Sequence, residues 1–232
     1  MADIGFAPNY TTLHMIDTAP NANERDWAYV GPGITNVSPN DSDNTDTFEY
    51  YDGGGASSEY VSGKTIGYSV SGDRRYGDKA QDYVRGLRTK TGEELTTNWK
   101  TVEPDGTVTE GEVTVRNIQM GGGDANSKGT VSFEVGFNAM PEETPGDKTK
   151  MPESLTLTEA SLAVGATLDL EPSVTPDTAS AACVYAVKDP SIATVSADGV
   201  LKGVKAGTTK LTAKCVAKPS VTKTITVTVS GS

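Results

Sequence analysis

Apolar and polar residues alternate along most of the chain, as they do in strands with one buried face. Ile66, Tyr68 and Val70 alternate with polar residues, which predicts a half-buried strand. Leu95–Val102 and Thr107–Ile118 are two further predicted strands, joined by a Pro-Asp-Gly turn. The same alternation recurs later in four apolar residues: Val131, Phe133, Val135 and Phe137. The N-terminal part is therefore predicted to be a β-sandwich or partial barrel.

One stretch has the spacing of a helix instead. Four apolar residues recur at i, i+3, i+4 and i+7, as on one helix face: Ala80, Tyr83, Val84 and Leu87. This spacing predicts a helix over Gly77–Leu87, with Asp78 as its N-cap and Gln81 completing a capping-box pattern. A single amphipathic helix among strands is expected to pack its apolar stripe on an open sheet face.

The most polar stretch is Asn36–Gly63, which is rich in Asn, Asp, Ser and Gly. It is too long for an ordinary hairpin loop, so we predict a loop that is functional or ordered only against a partner. Its candidate contact residues are three carboxylates and three rings: Asp41, Asp43, Asp46, Phe48, Tyr50 and Tyr51. Asp41, Asp43 and Asp52 match an EF-hand count, but Asp46 stands where the turn needs Gly. A solvated acidic loop is expected, and no metal site.

Beyond this part the composition changes. Residues 141–153 interleave prolines with charges, which predicts an extended linker between domains at 1–140 and 154–232. Short strands then recur at the spacing of a small β-sandwich: Leu155–Thr158, Thr167–Val174, Cys183–Val187, Ile192–Val195, Thr208–Val216 and Val221–Val229. Cys183 and Cys215 point inward on this parity. A bridge is geometrically conceivable, whereas a reducing compartment favours buried thiols.

Charge and composition narrow the function classes. The net charge is −11, and residues 1–148 alone carry −12, with 24 acidic against 12 basic side chains. Such a surface repels nucleic acid at long range. His14 is the single histidine and is expected to be structural, and no Cys/His cluster or Gly-x-Ser-x-Gly elbow is present. We therefore expect no enzyme activity and no cofactor.

No apolar run reaches the roughly 20 residues of a membrane helix, so we expect no membrane insertion. The start of the chain has neither a basic segment nor an apolar run, so no signal peptide is expected. The cytosol is then the expected compartment of synthesis.

The C-terminal part resembles the bacterial immunoglobulin-like domain, group 2. Five segments over roughly 75 residues carry this resemblance in the family's order: Ser154–Leu157, Val174–Pro176, Tyr185–Val195, Asp198–Val200 and Val204–Thr208. Tyr185 stands where the family commonly has Trp. The resemblance implies an appended decoration module with cell-surface glycans as a candidate ligand, and it names no specific ligand.

Residues from about 20 to 140 resemble the major tail tube protein of long non-contractile-tailed phages (siphophages). The segments that carry this resemblance are Tyr68–Asp73, Gly77–Val84, Gly92–Leu95, Trp99, Pro104–Gly106, Glu110–Glu112 and Gly129–Val135. The resemblance implies a tail-tube fold with one flanking helix and six-subunit rings stacked into a tube. It also implies a long loop that reaches the neighbouring ring and a C-terminal module that projects outward.

On this reading the chain is a virion tail subunit, assembled in the host cytoplasm. Its partners are copies of itself, the tape measure and tail terminator proteins, and DNA that passes through the lumen without specific binding. Glu110, Glu112 and Glu134 are candidate lumen residues because their parity opposes that of the valines. The alternative reading is a bacterial surface or wall-binding adhesin that uses the immunoglobulin-like module.

Overall fold

The structure is a computed structural model that describes residues 4–231. The chain divides into two compact units. The first unit contains the chain up to Gly31, Asn98–Glu110, and everything from Glu142 onward. The second unit contains Pro32–Thr97 and Gly111–Pro141.

Strands dominate the N-terminal part, as predicted, with one α-helix among its described residues. In chain order the elements are β1 (Leu13–Asp17), β2 (Trp27–Tyr29), β3 (Ile34–Pro39), β4 (Ser42–Glu49), β5 (Ser57–Thr65), β6 (Gly67–Asp73), α1 (Lys79–Leu87), β7 (Thr96–Val102), β8 (Val108–Met120), β9 (Thr130–Phe137) and β10 (Glu142–Thr144). Three short 3-10 helices lie at Asn9–Thr11, Tyr51–Gly53 and Gly92–Leu95.

An antiparallel sheet with the strand order β8-β9-β6-β3 forms the frame of the second unit. The predicted alternation places one row of each strand in the core, because successive side chains of a strand point to opposite faces. Five of these residues are almost fully inaccessible to solvent: Val70, Val113, Val115, Val131 and Val135. The opposite face carries small polar and charged side chains. The sheet therefore has one apolar and one polar face.

Helix α1 starts at Lys79, two residues later than predicted, and ends at Leu87 as predicted. Asp78 is its N-cap, since its side chain accepts a hydrogen bond from the Gln81 N–H at 3.0 Å. The apolar stripe is mostly buried: Ala80, Val84 and Leu87 are inaccessible, and Tyr83 is half-buried.

Gln81 has a different role from the one that its capping-box position predicts. Its side chain is 2% exposed. Its amide nitrogen donates to the Pro32 carbonyl at 2.7 Å, and its amide oxygen accepts from the Arg75 N–H at 2.8 Å. Gln81 thus ties the helix to two backbone segments distant from each other in sequence. A capping box requires only a local contact, so the pattern could not reveal this link.

We expect Gln81→Ala to lower the free energy of unfolding by about 1–3 kcal/mol, because a buried side chain is removed and two partly buried backbone groups lose their partner. Urea unfolding is the measurement. The matched control is Gln119→Ala on β8, where the side chain is exposed and the expected change is within about 0.5 kcal/mol. Equal midpoints for the two variants would contradict the proposed role of Gln81.

The first unit begins with the antiparallel strands β2, β1 and β7. Residues 141–153, predicted as a linker, include β10, which pairs with Val108–Glu110 of β8. The Lys148 N–H donates to the Asp105 carbonyl at 2.8 Å, so the segment is hydrogen-bonded to the β7–β8 turn. The domain boundaries at 140 and 154 remain a prediction.

The rest of the first unit is an immunoglobulin-like module made of short strands. They are β11 (Ser154–Thr156), β12 (Ala160–Ala163), β13 (Thr167–Asp169), β14 (Ser173–Thr175), β15 (Cys183–Val187), β16 (Ala193–Val195), β17 (Val200–Gly203), β18 (Gly207–Cys215) and β19 (Thr222–Ser230). Its largest sheet has the order β12-β19-β18-β15, with β12 parallel to β19. Smaller sheets join β11 to β14, and β13 to β17 and β16. A single apolar core lies between the sheets.

Two predicted details of this module are wrong. Thr167–Val174 is two strands rather than one, because Pro172 falls in the middle and cannot donate a ladder hydrogen bond. Strands β12 and β17 were not predicted, since both are short and poor in large apolar residues. Cys183 and Cys215 lie opposite each other as buried free thiols, with 3.9 Å between their sulfur atoms.

A small apolar cluster of the first unit joins its N-terminal strands to the immunoglobulin-like module. Leu13, Met15 and Trp27 are buried with Val216, which directly follows β18. The Ala197 N–H donates to the Trp27 carbonyl at 2.9 Å. Within this unit the module is therefore held by side-chain packing and a backbone hydrogen bond as well as by chain connection.

His14 lies in β1, where its Nδ1 atom is 3.2 Å from the Thr101 hydroxyl and its ring centroid is 5.8 Å from that of Trp99. Burial lowers the pKa of His14 from 6.5 to about 4. In the unfolded chain the imidazole takes up a proton near pH 6.5, whereas in the folded chain it stays neutral down to about pH 4. Folding stability from this group is therefore lost as the pH falls between these values.

This change in the pKa of His14 corresponds to a fall of roughly 3 kcal/mol in the free energy of unfolding between pH 7 and pH 4. We expect the urea midpoint of the wild-type protein to fall over this range, and the fall to be smaller in His14→Gln. Because the chain has a single histidine, the difference between the two titrations isolates this group. Parallel titration curves would show that His14 does not carry the effect.

Candidate assembly interface

Strands β4 and β5 pair in antiparallel register from Ser42 opposite Thr65 to Glu49 opposite Ser57. We call this ribbon, with its connecting residues 50–56, the extended hairpin. The expectation of a loop over Asn36–Gly63 is wrong, because most of β3, all of β4 and most of β5 fall within it. Its Asp, Asn, Ser and Gly residues are poor strand formers, and this composition concealed the pairing.

The extended hairpin buries none of its strand side chains within the described part of the chain. Its two outer strand edges have no partner strand among residues 4–231. Phe48 makes an edge-on contact with Tyr50 at 5.0 Å between ring centroids, and Tyr60 lies 5.7 Å from Phe48. Tyr51 at the tip is fully exposed. An isolated two-stranded hairpin is only marginally stable in water, so this ribbon has the properties of a docking element.

The predicted carboxylates of this segment have different surroundings. The Asp41 side chain accepts from the Gly67 N–H at 3.2 Å, which fixes the base of the extended hairpin. Asp43 lies 3.5 Å from the Lys64 ammonium group. Asp46 is exposed and forms no ion pair within residues 4–231. No cluster of three or more His, Cys, Asp or Glu suited to a metal ion occurs in that part of the chain.

Sequence reasoning missed two further carboxylates of the extended hairpin, Glu49 and Glu59, and considered Asp52 only as a metal ligand. All three are exposed, and none forms an ion pair within the described residues. Cross-strand partners share a face of a ribbon, and Thr47 lies opposite Glu59. Glu49 and Glu59 are therefore diagonal neighbours on one face, while Phe48 and Tyr60 lie on the other. Only the pairing register reveals that one face is acidic and the other aromatic.

The polar face of the second unit's sheet contains two of the predicted lumen residues. Glu134 accepts from the Arg116 guanidinium at 3.1 Å, and Glu112 accepts from the Asn138 amide at 2.8 Å. Ser69 lies opposite Glu134 in the register and shares its face. The face therefore carries small hydroxyl groups as well as carboxylates, whereas the alternation in the sequence pointed only to the carboxylates.

Glu110 lies in a charged cluster of the first unit. It contacts the Arg25 guanidinium, and its second oxygen lies 3.1 Å from the Lys100 ammonium group. Both cations also lie over the Trp27 ring, at 5.6 and 5.7 Å from its centroid. Two of the three predicted lumen carboxylates, Glu110 and Glu134, therefore have a cation partner within the same copy.

Comparison with known families assigns the C-terminal part. Residues 152–229 match the family model of the bacterial Ig-like domain (group 2). The immunoglobulin-like prediction is confirmed. Among curated proteins, 73 residues are 48% identical to 3-O-alpha-D-galactosyl-alpha-L-arabinofuranosidase of Bifidobacterium longum subsp. longum. That match covers 31% of this chain and only 6% of the length of the enzyme.

A solved structure shares the fold of the larger part of the chain. A chain from the tail of an empty gene transfer agent particle, solved with C6 symmetry, is similar with a TM-score of 0.50 and 12% identity. The likeness covers 60% of this chain and all of that chain. A chain from the virion of a native gene transfer agent is similar with a TM-score of 0.46 and 13% identity, over the same shares. The strands and the single described α-helix, together with the family match, confirm the predicted mainly β fold. No described helix is long and apolar enough to cross a membrane.

Proposed function

We propose that this protein is the structural subunit of a siphophage tail tube, in which six copies form a ring and stacked rings enclose a channel for DNA. The fold shared with a tail chain of C6 symmetry is the observation that supports this most directly. The extended hairpin adds a second argument, since its strands bury no side chain within a single subunit and so leave a surface that another subunit can cover.

Ring closure requires a heterologous contact, in which one flank of each subunit binds the opposite flank of the next. Strand β3 lies at the end of the second unit's sheet, so one of its edges is unpaired within the described residues. Pairing across subunits would remove such an open edge. The extended hairpin, through Asp41, Asp43, Asp46, Phe48, Tyr50 and Tyr51, then makes the contact between stacked rings.

In this assembly Glu110, Glu112 and Glu134 line the lumen, and DNA passes without specific binding. Carboxylates and serine hydroxyls offer no surplus cation to the phosphates, whose attraction to Lys and Arg dominates protein–DNA affinity. The immunoglobulin-like module projects outward from the tube, with cell-surface glycans as a candidate ligand. Tape measure and tail terminator proteins are the other tail partners, and assembly takes place in the host cytoplasm before the tail joins the virion.

Negative-stain microscopy of the purified protein tests the proposal, and we expect rings or tubes. A Phe48→Ala, Tyr60→Ala double variant should form at least tenfold fewer tubes, because it removes the ring cluster of the extended hairpin. Neither side chain is buried, so the thermal midpoint should change little. The control is Tyr10→Ala, which removes an exposed ring outside the hairpin. Wild-type protein that forms neither rings nor tubes would contradict the proposed function.

Limited proteolysis tests the role of the extended hairpin separately. In free subunits we expect cleavage between Tyr50 and Ala56 before any cut in β6 or β9, because this segment is exposed and unsupported. Assembly should protect the same bonds. Resistance of the segment in free subunits, equal to that of the sheet, would argue against ordering by a partner.

An adhesin is the alternative, and the match of residues 152–229 to an immunoglobulin-like family is the observation in its favour. The two functions differ in the assembled state. An adhesin would give monodisperse particles in the same micrographs and would bind intact bacterial cell walls in a pull-down.

A further inference from the structure

The chemistry of the extended hairpin identifies the kind of surface that would complete it. Its acidic face carries Glu49 and Glu59 as diagonal neighbours, roughly 7 Å apart between Cβ atoms for such a pair. Both are exposed, and neither forms an ion pair within residues 4–231. A matching surface therefore needs two exposed cations at a similar spacing, without carboxylate partners of their own.

The outward face of α1 and its C-cap meets this requirement. Arg85 and Arg88 are exposed and form no ion pair among the described residues. They are three residues apart, so they are neighbours on one helix face, roughly 5–6 Å apart at their Cβ atoms. Of the four other arginines, three are already paired, with Glu110, Asp82 and Glu134 respectively: Arg25, Arg74 and Arg116. Arg75 is exposed without an ion pair among the described residues, but it lies outside α1 and has no neighbouring arginine that is also unpaired.

We propose that the acidic face of the extended hairpin of one copy docks on the outward face of α1 of a second copy. Glu49 and Glu59 then pair with Arg85 and Arg88. This inference rests on the proposed function, because it names the surface that receives the hairpin of the stacked ring. The contact is heterologous, so it repeats from ring to ring without closing.

The lysines of the immunoglobulin-like module are the competing cations. All eight cations in residues 149–232 are lysines, and Lys210 and Lys214 are exposed on one face of β18. Arginine presents a planar fork that binds a carboxylate through two hydrogen bonds, whereas a lysine ammonium is a strongly hydrated point charge. Two arginines at i and i+3 of a helix therefore fit a pair of carboxylates on a ribbon better than lysines spaced along a strand.

Charge reversal in both directions tests the contact. Arg85→Glu with Arg88→Glu should reduce tube mass in sedimentation at least tenfold, and so should Glu49→Arg with Glu59→Arg. Combining all four substitutions in one chain should restore assembly, because each reversed side chain again faces a side chain of opposite charge. The matched control, Lys210→Glu with Lys214→Glu, should assemble as the wild-type protein does. All these side chains are exposed, so the thermal midpoint of each variant should stay close to that of the wild type.

The outcomes separate this inference from the proposed function. Wild-type protein that stays solitary at every concentration contradicts both. Wild-type tubes together with normal tubes from the Arg85/Arg88 variant overturn the docking site alone. Loss of tubes in the Lys210/Lys214 control, with normal assembly of the Arg85/Arg88 variant, places the hairpin on the immunoglobulin-like module instead.

Discussion

The unsupported backbone of the extended hairpin is the constraint on which the other features depend. β4 and β5 satisfy each other's hydrogen bonds along one edge, and neither outer edge has a partner strand in the described residues. None of their side chains is fully buried, so burial of apolar surface contributes little to this ribbon in a single copy beyond the contacts of Phe48 with Tyr50 and Tyr60. In the proposed assembly, a surface of another copy supplies further stabilisation. Copies of the same chain provide such a surface at every step of a repeating assembly.

The rest of the second unit, in contrast to the hairpin, has a buried apolar core. Its sheet buries a continuous row of valines, and Gln81 fixes α1 to the backbone at Pro32 and Arg75. The Asp41 carboxylate binds the Gly67 N–H where the extended hairpin leaves the sheet. The hairpin therefore projects from a base that is already ordered. An ordered base lowers the conformational entropy lost on association, which favours assembly of preformed subunits.

The sequence pattern predicts elements that bury one face, because burial imposes a periodic spacing of apolar residues. It does not predict elements that are held by strand pairing alone. Alternation on β9 and helical spacing on α1 predicted both elements, because each buries one face of a regular structure. The extended hairpin buries none of its strand side chains fully, so its strands carry no apolar alternation, and the sequence predicts a loop there. The ion pair of Glu110 with Arg25 spans 85 residues, and no local spacing encodes it. Pro172, by contrast, marked the break between β13 and β14, and a stricter reading of proline would have found it.

The ion pairs change the electrostatic argument for a DNA channel. Glu110 and Glu134 each have a cation within the same copy, and such pairs are nearly neutral beyond the Debye length of about 8 Å. Strong repulsion of DNA by these carboxylates is therefore not expected. Passage without binding needs only that no unpaired cation is available to the phosphates, since counterion release drives that binding. Arg116 meets this condition because Glu134 already holds it, and Ser69 and Ser132 on the same polar face carry no charge.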